Sequence, residues 1–264
     1  MTLKARARAV ARVGTTLADA LVLVVILGST AGGPRALAAA PLPVETAAAA
    51  LPHSGHCPDD LADRLARTGR ARQLLTVETP GFSSVVATVE IWQWDGGCWQ
   101  GTGGPWTAFI GRNGFSDHHR EGDGTTPTGI YAIGPEMYGN APNPGTAYPY
   151  HRLVCGDWWD EDPSSPHYNT FQHVPCDQEP PFGRASEALW TETSAYPGLA
   201  VIEYNAHPVV AYAGSAIFVH AETGAPTSGC VALPLAELDR ALRWLVPSLR
   251  PAVVMGPAAE ITRF

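Results

Sequence analysis

The chain has 264 residues, with 17 basic and 25 acidic side chains and a formal charge of −8 when histidines are neutral. That length is ample for one well-buried domain preceded by a leader. The negative balance is repelled by phosphate backbones and anionic lipid, so neither nucleic acid nor a stable membrane partner is expected.

The first forty residues read as a signal peptide. Lys4, Arg6, Arg8 and Arg12 make a positive start, Ala18 to Leu27 is mostly apolar, and small residues from Ala36 to Ala40 offer an Ala-x-Ala cleavage site. The rival is a retained anchor, but a spanning helix needs roughly twenty apolar residues, and this stretch is shorter and carries Asp19. Without residues 1–40 the chain keeps 12 basic and 24 acidic residues and no lysine. The expected location is secreted or cell-wall, outside the cytoplasm.

Residues 41–75 read as an Ala- and Pro-rich linker followed by a short amphipathic helix over Pro58 to Arg72, with Leu61 and Leu65 on one face. A domain is expected over 76–257. Val85 to Trp94 is β-branched and aromatic with partial alternation, and Asp95-Gly96-Gly97 signals a hairpin. Further strands are expected at Trp106 to Gly111 and Ile130 to Ile133, with a Gly- and Pro-punctuated turn at 122–129 between them. Residues 134–198 hold no long periodic run, and so long a loop is functional or stapled. Strands resume at Ala200 to Tyr204, Ser215 to His220 and Ala252 to Met255. Between the last two, Pro234 opens a helix in which Leu235, Leu238, Leu242 and Leu245 recur at helical spacing until Pro247. The pattern predicts a mainly β domain with one or two peripheral helices, taken to be a monomer.

Five cysteines, Cys57, Cys98, Cys155, Cys176 and Cys230, leave one unpaired after two disulfides. Sequence alone does not choose among the pairings. One of them lets Cys155 and Cys176 staple the aromatic loop between them and Cys57 and Cys98 tie the N-terminal segment to the first hairpin. Cys230 is then free, as a nucleophile or as an inert buried thiol. A thiol is mostly protonated at neutral pH, so a nucleophile needs a neighbour that takes its proton. His220 ends an apolar strand ten residues upstream, and the intervening Gly224, Pro226 and Gly229 let the chain leave the sheet and return. Gly229 has no β-carbon, so the backbone there can aim the Gly229 and Cys230 N–H groups at a developing oxyanion. Nucleophile, base and oxyanion donors thus fall within eleven residues, the parts of an acyl-transfer site.

Phe218-Val219-His220 followed by Thr227-Ser228-Gly229-Cys230-Val231 resembles the active-site signature of the L,D-transpeptidases, the YkuD-type domain. Glu121-Gly122-Asp123-Gly124-Thr125-Thr126-Pro127-Thr128-Gly129-Ile130-Tyr131 resembles that family's earlier Gly-Asp-x-x-Thr-Pro-x-Gly turn. The resemblance spans roughly residues 85–256 and implies a sandwich-like, mainly β domain with no cofactor. It implies that Cys230 forms a thioester with a peptidoglycan stem peptide, that His220 is the base, and that Gly229 and Cys230 supply the oxyanion donors. Thr227, Ser228 and Tyr204 are expected to contact substrate. Three departures stand out. Ser228 replaces the family's histidine before Gly-Cys, the spacing from His220 to Cys230 is short, and Ala232 stands where Arg or Asn is usual. Hydrolysis by an L,D-carboxypeptidase and a non-catalytic wall-binding protein of the same fold are the alternatives.

His118, His119, His151, His167, His173 and His207 show none of the tight spacings of zinc sites, so no metal is expected. Trp158, Trp159, Tyr168 and Phe171 are read either as a groove wall or as a satellite core.

Overall fold

A computed structural model of the protein describes residue 57 and residues 59–183 and 185–264. The expected signal peptide and most of the linker lie outside the described residues. Strands follow one another as β1 (Gln73–Thr79), β2 (Val86–Trp94), β3 (Trp99–Phe109), β4 (Phe115–Ser116), β5 (Thr126–Pro127), β6 (Gly129–Gly139), β7 (Tyr150–Arg152), β8 (Asp157–Asp160), β9 (Thr170–His173), β10 (Glu187–Ala188), β11 (Leu199–Ile202), β12 (Phe218–Ala221), β13 (Val231–Leu233) and β14 (Ala252–Pro257). The α-helix α1 spans Leu235–Trp244. The domain is mainly β, as the pattern predicts.

Nine strands form one sheet in the order β11-β12-β13-β3-β2-β1-β14-β6-β7. Because β11 also pairs with β6, the first eight close into a ring with β7 appended to β6. Side chains alternate across a strand, so each strand sends one set inward and one outward. Val77, Val89, Ile91, Val219, Val231, Leu233, Val253 and Met255 belong to the central core cluster. On the outside, Leu74, Trp92, Val254 and Ile261 form a second cluster, and Tyr138, Trp159, Leu199, Phe218 and Cys230 a third. The third lies beneath the long segment between β7 and β11. There β8 pairs with β9 and β10, and disulfide Cys155–Cys176 joins the chain just before β8 to the chain just after β9. Cys57–Cys98 is the other disulfide, and Cys230 is free.

Pro234 caps the N-terminus of α1, and Leu238, Ala241 and Leu242 are buried on one face. Leu235, part of the apolar repeat, is 50% exposed in the first turn. Among the described residues of the range Pro58 to Arg72, the expected helix does not form. One 3-10 turn, Ala62–Arg64, stands in its place. Tertiary partners replace the helical ladder: the Ala66 and Arg67 amides donate to the Phe264 carbonyl at 2.9 and 3.1 Å, and the Asp63 carboxylate accepts the Trp99 amide at 2.9 Å. Leu61 and Leu65 are buried, as their shared face implies, but from an irregular chain. The reading from sequence also passes over β1, which sits between β2 and the parallel β14.

Candidate active site

Strands β12 and β13 pair in parallel with Val219 opposite Val231 and His220 opposite Ala232. Stepping back one residue puts Cys230 beside Phe218, and the Phe218 amide donates to Cys230 Sγ at 3.4 Å. Since Val219 and Val231 face the core, the alternation turns Phe218, His220 and Cys230 to the outer face. There His220 and Cys230 line one cavity of about 760 Å³. Glu121, Glu161 and Glu187 line it as well, with Arg112.

The Cys230 thiol donates to the Ala216 carbonyl at 3.1 Å. Ala216 holds a left-handed backbone, φ 53°, and its amide donates to Asn169 Oδ1 at 3.1 Å. An alanine there is strained by roughly 1–3 kcal/mol, and such strain gathers at functional sites. Burial pushes the thiol pKa far up, the charges of Glu187 and Glu161 push the same way, and the Phe218 amide opposes them. Cys230 therefore rests as a neutral thiol.

His220 is buried, with Nδ1 2.7 Å from the Ala221 carbonyl oxygen. A carbonyl only accepts, so Nδ1 carries the proton and Nε2 keeps its lone pair. Burial pushes the imidazole pKa down, against the pull of the Ala221 and Ala195 carbonyls, so the ring is neutral at neutral pH. Tyr196 packs edge-on against it with centroids 5.3 Å apart, and donates its hydroxyl proton to Glu187 Oε1 at 2.8 Å. Burial raises the Glu187 carboxyl to about 7, and burial together with neighbouring carboxylates raises Glu161 to about 9.

The loop into Cys230 is bolted to the end of β3. The Thr227 amide donates to the Ile110 carbonyl at 2.9 Å, and the Arg112 amide to the Thr227 carbonyl at 2.8 Å. Thr227 Oγ1 donates to the Cys230 carbonyl at 2.7 Å and accepts the Gly229 amide at 3.1 Å. Thus one expected oxyanion donor, Gly229 N–H, is engaged locally. Ser228 is exposed and its Oγ accepts from the Arg112 guanidinium at 2.9 Å. Tyr204, expected among the substrate contacts, is outside the cavity lining. Its ring packs edge-on against His119 and Tyr131, and its hydroxyl donates to the Ala213 carbonyl at 2.6 Å.

The second motif meets the first at this point. A Cβ on Gly229 would lie 2.9 Å from Ile217 Cδ1 and 3.0 Å from the Thr125 carbonyl oxygen, so only glycine lets the two turns close on each other. Asp123 Oδ1 accepts from the Thr125 amide and hydroxyl at 2.8 and 2.7 Å. Thr126 Oγ1 donates to the Gly229 carbonyl at 2.7 Å. His119 is buried against this turn, with Nδ1 3.0 Å from Thr125 Oγ1 and 3.1 Å from Asp123 Oδ1, and it lines the cavity. Burial lowers its pKa against the opposing charge of Asp123. In the sequence His119 stands out only as one of six histidines examined for metal-ligand spacing. Its place four residues before Asp123 is the local signal that ties it to the motif.

Trp158 lines the cavity, whereas Trp159 is buried against Phe218 at 5.0 Å, so the aromatic loop supplies both wall and core. Among the described residues, the group spaced to hold a metal ion is Cys57, Asp63 and Cys98, and its two sulfurs are joined in a disulfide.

Comparison with curated proteins finds no match, and comparison with solved structures finds none. Residues 89–254, well over half of the chain, match the family model of the L,D-transpeptidase catalytic domain, YkuD, and the chain belongs to that family.

Proposed function

We propose that the protein is an exported cysteine acyltransferase that cross-links or remodels peptidoglycan stem peptides through a thioester on Cys230. The observation that carries this reading is that the free thiol and a neutral, Nδ1-anchored imidazole share one cavity. Two disulfides fit an oxidising compartment. The signal-like segment 1–40 adds to the case for export.

Both partners rest neutral, so the proton leaves the thiol as the bond forms. Cys230 Sγ attacks the carbonyl carbon of the stem peptide's terminal amide bond while His220 Nε2 takes the thiol proton. The carbonyl oxygen becomes an oxyanion that accepts a hydrogen bond from the Cys230 amide, the Gly229 amide being held by Thr227. The C–N bond breaks, His220 returns the proton to the leaving amine, and a thioester remains. An amine of a second stem then attacks the thioester carbon. His220 takes a proton from that amine and passes it to the departing sulfur, leaving a new amide and the free thiol. Ser228 and Thr227 flank the nucleophile, where an extended substrate would pass.

The test is mass spectrometry of the intact protein with a tetrapeptide stem, with and without an amine acceptor. An adduct on Cys230 that turns over to a cross-linked product supports the reading. A trimmed tripeptide alone, with acceptor present, would make the protein an L,D-carboxypeptidase. No adduct on Cys230 would overturn covalent catalysis and favour a wall-binding role.

A further inference from the structure

We infer that Thr126 is a positioning residue of this site: its hydroxyl sets the peptide plane between Gly229 and Cys230 so that the Cys230 N–H faces the cavity as the oxyanion donor. The inference rests on the reading of Cys230 as an acylated nucleophile. Thr126 has no exposed surface, and its Oγ1 is used twice, accepting the Gly111 amide at 2.8 Å and donating to the Gly229 carbonyl at 2.7 Å. In a trans peptide the C=O and the following N–H point in opposite directions. Anchoring the Gly229 carbonyl on Thr126 therefore turns the Cys230 N–H away from Thr126. The neighbouring polar groups are engaged as well, because Thr227 Oγ1 receives the Gly229 amide and donates to the Cys230 carbonyl. Among the described hydrogen bonds, the Ser228 and Cys230 amides of this turn have no acceptor; Ser228 is exposed, whereas Cys230 is buried. An N–H turned to the cavity is free to donate to an oxyanion forming on the carbon bonded to Sγ.

The arrangement also gives the Thr-Pro turn a task. Pro127 follows Thr126 in the short strand β5, which pairs with β4, and Gly111 lies just beyond the end of β3. Thr126 thereby joins the end of the β2–β3 hairpin to the nucleophile loop through one hydroxyl. A displaced hydroxyl would let the Gly229–Cys230 peptide rotate without moving the sulfur far, since Sγ is held separately by the Ala216 carbonyl and the Phe218 amide.

The experiment compares two reactions of the same thiol in wild type, Thr126→Val and Thr126→Ser. p-Nitrophenyl acetate acetylates sulfur through a tetrahedral oxyanion and releases p-nitrophenolate. Iodoacetamide alkylates sulfur by displacing iodide, with no oxyanion. Thr126→Val keeps the shape and loses the hydroxyl, so acetylation of Cys230 should slow roughly 10- to 100-fold, below the 10²–10³ typical of deleting an oxyanion donor outright. Alkylation should change less than about twofold, and Thr126→Ser should restore acetylation. Acetylation at the wild-type rate in Thr126→Val, or an equal fall in both reactions, overturns the inference. Should Thr126→Val not fold, hydrogen exchange on the wild type decides: the Cys230 amide should exchange fast beside a slow Val231 amide, and a protected Cys230 amide overturns the inference. A wild type that is acetylated on Cys230 but ignores stem peptides would count against the substrate reading alone.

Discussion

The two faces of β12 and β13 are built from alternate residues of the same short strands and do opposite work. Inward, Val219, Ala221, Val231 and Leu233 meet other strands of the closed sheet in a buried apolar cluster. Outward, Phe218, His220 and Cys230 meet the disulfide-stapled segment, which brings Glu161, Glu187 and Tyr196 to the same cavity. The inner face needs only volume and apolarity, because dispersion and burial are indifferent to which aliphatic group supplies them. The outer face depends on particular atoms at particular distances. Placing both on one pair of strands makes the rigid core the mount for the thiol and the imidazole.

Substitutions should separate the faces. Cys230→Ser on the outer face should remove the acyl-enzyme and reduce stem-peptide turnover to background, with the melting temperature near wild type; intact mass with a β-lactam and a thermal scan check both. His220→Ala should lower kcat by about 10²–10⁴ while leaving the fold intact, the range for losing a positioned base; retained turnover would mean that another group takes the thiol proton. On the inner face, Leu233→Ala should cost about 2–5 kcal/mol in urea unfolding, yet each folded molecule should still alkylate Cys230 with iodoacetamide at close to the wild-type rate. Loss of reactivity in step with stability would show that the two faces are not separable.

The acidic wall gives a pH dependence with a definite sign. Glu161 and Glu187 are raised to about 9 and about 7 in the fold, above the ordinary value of 4.5. Between 4.5 and those values the folded protein holds protons that the unfolded chain has released, so stability falls as pH rises through this window. Melting temperatures should decline from pH 5 to 9, more steeply below about pH 7 where both groups contribute, and Glu161→Gln should make the decline shallower and remove its part above pH 7. Parallel curves for the two proteins would mean that Glu161 is ionised in the fold. The smallest effect is expected at Arg112, whose guanidinium reaches Ser228 at the exposed rim. Arg112→Ala should shift stability by less than about 0.5 kcal/mol, and a change confined to KM for stem peptides would mark a substrate contact.

Much of the fold is legible along the chain wherever a local signal carries it. The β-branched run of β2, the Asp95 turn that accepts the Gly97 and Cys98 amides at 2.9 Å, and the leucine repeat of α1 all form near where their patterns place them. The expected helix at Pro58 to Arg72 fails because its amides find the Phe264 carbonyl, a partner nearly two hundred residues away. No short window reports such a bond. The closure of the sheet through β6 and β11 is hidden for the same reason, since it rests on pairing between distant strands. In the site, Cys230 and His220 are near neighbours in sequence and were legible together. The role of Thr126 is not legible along the chain, because the carbonyl it holds, that of Gly229, lies about a hundred residues downstream; His119, by contrast, bonds to the nearby Thr125 and Asp123.

From sequence alone come the family signature, the odd thiol with its upstream histidine, the mainly β pattern and the acidic charge, each encoded in residue identity and short spacing. Tertiary structure decides which face of β12 the histidine occupies, that burial favours the neutral thiol and imidazole, that the Gly229 amide is already engaged, and that the Gly-Asp turn grips the Cys230 loop. Those features depend on burial and on hydrogen bonds between distant segments, and both exist only once the sheet has closed.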